Sequence, residues 1–206
     1  MHDTPRPHDL LWGMTPTQLP ADAPAWARQV LATGQPVVVR RALVADGQVA
    51  VGVRGASRDQ RFATTLELSR VLRRVSPEQL VERLPSGGLP AFKALALLKP
   101  FLDELGLAWG VTGSVGYQLA SGVEAAHVES DLDLLLCTPQ PLSRQLAGEL
   151  QQLMDEAPCR IDMQLETPSG GIALREWAGG SARILLKCAT GARLIEDPWA
   201  ARELAA

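Results

Sequence analysis

Hydrophobic and polar positions along the second half of the chain follow the periods of helices and strands. Apolar residues at helical spacing predict a helix over residues 91–105, which we expect Pro100 to kink and Gly106 to end. A second amphipathic helix is predicted over residues 142–156, and a short one over residues 115–120. Strands are predicted over four further segments, residues 107–111, 131–137, 160–166 and 183–186. This order predicts an α/β (α+β) core in which helices pack on a sheet.

The first half of the chain predicts a β-hairpin. Valine-rich residues 36–43 and 48–54 flank Asp46-Gly47, a dipeptide that favours the tight turn between two antiparallel strands. A two-stranded hairpin is not stable alone, so we expect other elements to cover it. The predicted cover is residues 66–75 together with a short helix that begins at Ser76-Pro77.

A turn-rich hexapeptide, residues 85–90, separates these two halves. We therefore predict a smaller N-terminal domain over residues 1–88, containing the hairpin and helices, and a C-terminal domain over residues 89–206. The chain of 206 residues is long enough for both domains to bury a core.

Composition excludes several classes of protein. A pI of about 5.6, one Tyr and three Phe argue against nucleic-acid binding. No apolar run approaches the ~20 residues that span a bilayer, so no membrane association is expected. The first twelve residues carry charges and two prolines rather than the apolar core of a secretory signal. Three cysteines without C-x-x-C spacing are expected to be reduced, which predicts a cytoplasmic protein.

Charge is distributed unevenly between the two halves. Residues 1–88 contain 11 basic against 8 acidic residues, a net +3, whereas residues 89–206 contain 9 against 15, a net −6. This asymmetry predicts a basic first half that faces an anionic ligand or partner and an acidic second half that holds a metal.

Two carboxylates in the predicted strand 131–137 carry the clearest chemical signal. In a strand, Asp131 and Asp133 point to one face while Leu132, Leu134 and Leu136 point into a core. The carboxylates then lie about 7 Å apart, where they repel each other by about 2 kcal/mol at an effective dielectric of ~20. A divalent cation turns that repulsion into attraction, so the pair predicts a Mg²⁺ site.

Two further features extend this predicted site. Asp162, on the next predicted strand, brings a third carboxylate to the same region of the sheet. Gly113-Ser114 forms a turn into a helix, whose N-terminal N–H groups, dipole and hydroxyl suit phosphate oxygens. Carboxylates that hold a metal beside a phosphate-binding turn predict nucleotidyl transfer.

Gly-Ser followed by an Asp-Leu-Asp strand and a third acidic strand resembles the DNA polymerase β-like nucleotidyltransferase superfamily, which implies a mixed sheet with packed helices. Motifs in both halves also resemble the phosphoribosyl-dephospho-CoA transferase family of bacterial malonate decarboxylase, the holo-acyl-carrier-protein synthases. These motifs are RPHDLLW (6–12), VGVRG (51–55) with Arg58, Gln60 and Arg61, WGVTGSVGY (109–117), SDLDL (130–134), DMQLET (162–167) and DPW (197–199).

This resemblance implies a specific reaction. A serine of the acyl-carrier subunit would attack the α-phosphorus of 2′-(5″-triphosphoribosyl)-3′-dephospho-CoA, and pyrophosphate would leave. Asp131, Asp133 and Asp162 would hold Mg²⁺, with Asp162 helping to deprotonate the serine. Gly113 and Ser114 would hold the β and γ phosphates of the donor. Arg54, Arg58 and Arg61 would contact the donor phosphates or the carrier protein, although such clusters are often only a solvated face.

Two other functions remain open at this point. The first is an adenylyltransferase that uses ATP on a protein or a small molecule. The second is a non-catalytic module that binds a carrier protein or a nucleotide, which the intact Asp pair and Gly-Ser turn disfavour.

Overall fold

The computed structural model describes residues 4–57, 59–83 and 85–200. The chain forms two compact units that divide between Ser76 and Pro77. The N-terminal unit comprises residues 1–76 together with 120–122, and the C-terminal unit comprises residues 77–119 and 123–206. The turn-rich segment 85–90, at which the sequence places a domain boundary, thus lies within the C-terminal unit and leads directly into its first α-helix.

The N-terminal unit is built on an antiparallel sheet of five strands, three of which have only three residues. In chain order these are β1 (Leu10–Trp12), β2 (Val37–Val39), β3 (Gln48–Arg54), β4 (Arg61–Glu67) and β5 (Arg73–Val75). Their order across the sheet is β4-β3-β2-β1-β5. Among residues 4–57 and 59–76, the structure also shows one α-helix, α1 (Ala25–Ala32), and two 3-10 turns, Pro16–Gln18 and Leu68–Arg70.

The predicted hairpin is present, but its predicted cover is wrong. Strands β2 and β3 pair antiparallel, with Val38 opposite Gly52. Residues 66–75, expected to cover the hairpin, instead end β4, turn, and form edge strand β5. The actual cover is α1, which buries Ala27 and Leu31 against the sheet core. The apolar residues of α1 that pack on this core, Trp26, Ala27, Val30 and Leu31, follow the helical period over only eight residues. This short signal was not predicted as a helix from the sequence.

The C-terminal unit is built on a mixed six-stranded sheet. Its elements are a 3-10 turn (Pro77–Leu80), α2 (Pro90–Glu104), β6 (Trp109–Val111), α3 (Gly113–Ser121), β7 (Leu132–Cys137), α4 (Arg144–Asp155), β8 (Ile161–Thr167), β9 (Gly170–Ala173), α5 (Leu174–Ala178), β10 (Ile184–Cys188) and β11 (Gly191–Ile195). The order across the sheet is β11-β10-β9-β8-β7-β6. Strands β7 and β8 run parallel, and their neighbours pair antiparallel. This architecture confirms the predicted α+β class.

Strand β7 pairs with neighbours on both sides and buries its leucines in the core of the C-terminal unit. Leu132, Leu134 and Leu136 are each at most 1% exposed, as the alternating pattern predicted. On the opposite face Leu135 is buried as well, whereas Asp133 is half-buried. Parallel pairing brings the first residues of β7 and β8 to one end of the sheet, so a side chain near the start of β7 meets its counterpart on β8.

No helix within the described parts of the chain is long and apolar enough to cross a membrane.

Candidate active site

The Gly-Ser turn and the acidic strand are in direct contact. Gly113 has a φ of +62°, a conformation that L side chains rarely adopt. A methyl group at this position would lie 2.5 Å from the carboxyl carbon of Asp133. The backbone N–H of the preceding Thr112 donates to the carbonyl oxygen of Asp133 over 2.9 Å. Glycine is therefore required at residue 113 both for the backbone conformation and for the close approach of a carboxylate.

Helix α3 begins at this turn and presents its N-terminus beside Asp133. Gly113 is exposed and Ser114 is half-buried, while Val115 and Tyr117 anchor the first turns of the helix in the core. The N–H of Gly116 donates to the carbonyl oxygen of Thr112 over 2.9 Å. An exposed helix N-terminus of this kind attracts anions through its free N–H groups and its dipole.

The three predicted carboxylates lie in one region of the sheet. Asp133 on β7 is directly opposite Asp162 on the parallel strand β8. Asp131 lies two residues before Asp133, immediately before β7 begins, and all three residues are half-buried. Strand register, which the sequence does not specify, aligns Asp162 with Asp133 rather than with Asp131.

Arg160 is a site residue that was not predicted from the sequence. Its Nε and Nη2 atoms donate to the same Asp162 oxygen, Oδ1, over 3.1 and 3.0 Å. The pKa of Arg160 is raised by this hydrogen bond and then by the charges of nearby carboxylates, those of Asp162, Asp131 and Asp133. One guanidinium therefore faces the acidic cluster and orients Asp162. Arg160 precedes Asp162 by two residues, and in a strand such residues share a face. This spacing is the sequence signal that could have identified Arg160.

The donor set suits a magnesium ion held by two carboxylates. Asp133 offers a hard oxygen ligand beside the exposed Gly113, and Asp131 offers a second one two residues earlier. Mg²⁺ prefers one or two carboxylates together with phosphates and water. Across residues 4–57, 59–83 and 85–200, no group of three acidic, histidine or cysteine side chains forms a ready-made metal site. Asp162, the third predicted ligand, is hydrogen-bonded to Arg160.

The loop between α3 and β7 leads to Asp131 and is held by side-chain hydrogen bonds. The side-chain oxygen Oε1 of Gln118 accepts hydrogen bonds from the backbone N–H groups of Ala125 and Ala126, both over 3.0 Å. The loop then closes on itself, because the Oγ of Ser130 accepts from the N–H of His127 over 2.9 Å. Gln118 thus ties the loop to the helix that presents Gly113, a role for which the sequence shows no signal.

The predicted ligand-binding arginines belong to the N-terminal unit. Arg54 ends β3 and lies opposite Arg61, which begins β4. The Nη1 atom of Arg61 donates to the carbonyl oxygens of Ser57 and Gln60 over 3.2 and 2.9 Å, so this side chain supports the turn between the two strands. Arg58 lies outside the described residues.

The N-terminal RPHDLLW segment is organised around a buried acid, Asp9. Its Oδ2 atom accepts from the backbone N–H of Arg6 over 2.7 Å and pairs with the Nε of Arg74 at 2.6 Å. Burial raises the pKa of Asp9 above its usual 3.8, although Arg6 and Arg74 act in the opposite direction. His8, between Arg6 and Asp9, has a φ of +74°, which a non-glycine residue rarely adopts. Asp9 therefore holds a strained turn at the start of β1.

The fold and the site together define a two-unit α+β protein with an acidic cluster beside an exposed helix N-terminus on a mixed sheet. Two family models cover most of the chain. The phosphoribosyl-dephospho-CoA transferase C-terminal domain matches residues 79–198, and the N-terminal domain of the same family matches residues 6–77. The chain belongs to this family, and it is an enzyme of the transferase class.

Relatives named phosphoribosyl-dephospho-CoA transferase resemble the chain over its length. One from Pseudomonas putida is 61% identical over 98% of both chains, and one from Pseudomonas fluorescens is 60% identical over 97% of this chain and 96% of the relative. A third, from Azotobacter vinelandii, is 55% identical over the whole of both chains. No solved structure is significantly similar to this protein.

Proposed function

We propose that this protein attaches a prosthetic group to the acyl-carrier subunit of malonate decarboxylase in the cytoplasm. The donor is 2′-(5″-triphosphoribosyl)-3′-dephospho-CoA. A bond forms between a serine oxygen of the carrier and the α-phosphorus of the donor, the bond from that phosphorus to pyrophosphate breaks, and the serine proton passes to a base. The names of the family and of its relatives support the transferred group.

One observation carries this proposal, namely the contact between Asp133 and Gly113. The carboxylate of Asp133 lies against an exposed helix N-terminus, and this supports a metal-binding group next to a phosphate-binding one. A structural acid on a strand does not require a glycine in a left-handed conformation beside it. The pairing is what a triphosphate donor needs at the reacting phosphorus.

Asp131 and Asp133, with Asp162 beside them, would hold Mg²⁺ in this proposal. When bound, the ion neutralises charge that develops on the phosphate oxygens. The backbone N–H groups at Gly113 and the hydroxyl of Ser114 bind the β and γ phosphates. Asp162, oriented by Arg160, receives the proton from the serine hydroxyl.

The C-terminal unit is then the nucleotidyltransferase-like catalytic domain, and the N-terminal unit binds substrate or carrier. In this division Arg54, Arg58 and Arg61 contact donor phosphates or the acidic face of the carrier. The basic excess of the N-terminal half supports an anionic partner.

Mass spectrometry of the carrier subunit tests the proposal. The protein is incubated with the apo carrier, Mg²⁺ and either the triphosphoribosyl donor or ATP. We expect a mass gain equal to phosphoribosyl-dephospho-CoA with the first donor and none with ATP. A gain equal to AMP would instead identify an adenylyltransferase, and no gain with either donor would support a non-catalytic module.

A matched pair of variants links the reaction to the site. Asp133→Ala should abolish the mass gain, whereas Glu104→Ala, which removes an exposed acid at the end of α2, should leave it unchanged. Equal activity of both variants would exclude Asp133 from the reaction.

A further inference from the structure

Helix α2 carries an exposed apolar stripe along one side. Leu97 is 60% exposed and Phe101 is 52% exposed, and the ring of Pro100 is exposed beside them. With Lys93 at one end and Glu104 at the other, these residues fall at positions i, i+4, i+7, i+8 and i+11, which share one side of a helix. We call these five residues the α2 stripe. The opposite side of the helix is buried, so the stripe is part of a fixed surface.

The middle of the α2 stripe is suited to being covered by another apolar surface. Leu97 and Phe101 lie one turn apart, so their exposed parts form one patch rather than two scattered contacts with water. Pro100 adds apolar surface to this patch and has no side-chain rotamer freedom to lose when it is covered. Removing such a patch from water is favourable, in proportion to the apolar area that is covered.

The two ends of the α2 stripe carry opposite charges. Lys93 and Glu104 are eleven residues apart, a distance of about 16 Å along the helix axis. Both side chains are exposed, and within residues 4–57, 59–83 and 85–200 neither takes part in an ion pair or a side-chain hydrogen bond. A partner that covers the patch and pairs both charges must therefore present an acid at one end and a base at the other.

The α2 stripe of a second copy, turned antiparallel, meets this requirement. In an antiparallel pair of helices related by a two-fold axis, residues at equal distances from the axis lie opposite each other. An axis at the middle of the stripe sets Lys93 opposite Glu104 of the partner subunit. The same axis brings Phe101 over Ala96 of the partner subunit, a small exposed residue that leaves room for the ring. A parallel pair would instead set like charges together at both ends.

We propose that α2 is the interface of a homodimer, in which two α2 stripes pack antiparallel about a two-fold axis. Because the surface is only one helix wide, the dissociation constant of the dimer is on the order of 10 µM, as for a small interface. None of the five residues of the α2 stripe belongs to the acidic cluster. The inference therefore goes beyond the proposed function and does not rest on it.

Sedimentation equilibrium of the full chain tests the association. Measured from about 1 to about 200 µM, a range that brackets the expected dissociation constant, the mean mass should rise with concentration. We expect it to rise from 22.1 kDa towards twice that value. A mass of 22.1 kDa at every concentration would overturn the inference.

A matched pair of leucine variants locates the interface. Leu97→Ser should raise the dissociation constant about tenfold or more, because each dimer loses two covered leucine side chains. Leu194→Ser is the control, since Leu194 is 59% exposed but lies on β11, outside the α2 stripe, and should leave the constant unchanged. Equal dissociation constants for the two variants would place the interface elsewhere and overturn the inference.

A charge swap tests the antiparallel arrangement. Lys93→Glu sets an acid against Glu104 of the partner subunit at both ends of the interface and should raise the dissociation constant about tenfold. Glu104→Lys in the same chain restores opposite charges and should return the constant to near the wild-type value. A parallel dimer would only exchange one like-charge pair for another, so an unchanged constant in Lys93→Glu, or no recovery in the double variant, would contradict the proposal.

The apo carrier subunit is the other protein that the α2 stripe could bind. A chain that stays monomeric, binds the carrier, and loses that binding in Leu97→Ser would assign the stripe to the carrier and overturn the inference. The proposed function is judged separately, by the mass gain of the carrier, so a monomer that modifies the carrier would leave the proposed function standing.

Discussion

Two aspartates, one in each unit, show how differently the same side chain is used. Asp9 is fully buried in the N-terminal unit, and its Oδ2 is held by the backbone of Arg6 and the side chain of Arg74. Asp133 is half-buried in the C-terminal unit and touches an exposed glycine at a helix N-terminus. The first arrangement stabilises a turn, whereas the second leaves a carboxylate accessible to a ligand. Burial and neighbours, rather than residue type, separate a structural acid from a candidate catalytic one.

The largest effect should come from removing the charge of Asp133 while keeping its shape. Asp133→Asn should lower the rate of carrier modification by about 10²–10³-fold, the usual loss when a group that stabilises transition-state charge is removed. Its unfolding midpoint in urea should stay at the wild-type value, because the amide fills the same space. A large fall in that midpoint with retained activity would make Asp133 a structural acid like Asp9.

Gly113→Ala should reduce activity without removing any catalytic group. The added methyl group meets the Asp133 carboxyl and imposes a disfavoured positive φ, which costs about 1–3 kcal/mol. We expect a rate loss of about 10–100-fold, comparable to that of displacing a metal ligand by altering its supporting residues. Gly122→Ala is the matched control, since it has a φ of +75° but open space around it. Equal rates in the two variants would mean that the contact with Asp133 has no catalytic importance.

The same Asp-to-Asn change should be tolerated at residue 9. Asp9→Asn keeps an oxygen acceptor and the shape of the side chain, whereas Asp9→Ala removes the acceptor for Arg6 and Arg74 and should lower the free energy of unfolding by about 2–3 kcal/mol. Urea unfolding of the two variants measures the difference. Equal destabilisation by Asn and Ala would show that the negative charge, rather than the hydrogen-bonding oxygen, is what the turn needs.

The pH dependence of the Asp9 effect has a defined sign. Because the pKa of Asp9 is raised in the folded protein, the folded state binds its proton more tightly than the unfolded state does. Its ionisation therefore lowers stability progressively as pH rises from the unfolded value near 3.8 through the folded pKa. Asp9→Asn should gain stability relative to wild type over that interval, and a relative loss would mean that pairing with Arg74 outweighs burial.

The smallest effect should come from the loop that positions Asp131. Gln118→Ala removes the acceptor for two backbone N–H groups and should lower kcat about tenfold, with little change in KM for the donor. Gln118→Glu keeps a side-chain oxygen in place and should restore most of the activity. Failure of the Glu variant to exceed the Ala variant would indicate that these hydrogen bonds do not position the site.

The sequence predicts the C-terminal unit better than the N-terminal one, for a physical reason. Strand β7 and helix α4 have strong periods, and each was predicted within two residues of its observed ends. In the N-terminal unit β1, β2 and β5 have three residues each, and β4 is an edge strand. Residues 66–75 were predicted to cover the hairpin, yet Leu72 within them is 84% exposed. Short elements carry little periodicity, so tertiary packing determines them.

The sequence by itself predicted the acidic strand, the turn into a helix and the family, whereas the chemistry of the acids stays a prediction. Side-chain alternation places Asp131 and Asp133 together, Gly113-Ser114 marks a turn into a helix, and the motifs of both halves indicate the family. Only the tertiary structure determined which of these groups meet. Strand register sets Asp162 against Asp133, a glycine without a side chain admits the Asp133 carboxylate, and Arg160 pairs with Asp162. These contacts depend on pairing and packing between segments distant in sequence, which local periodicity does not encode.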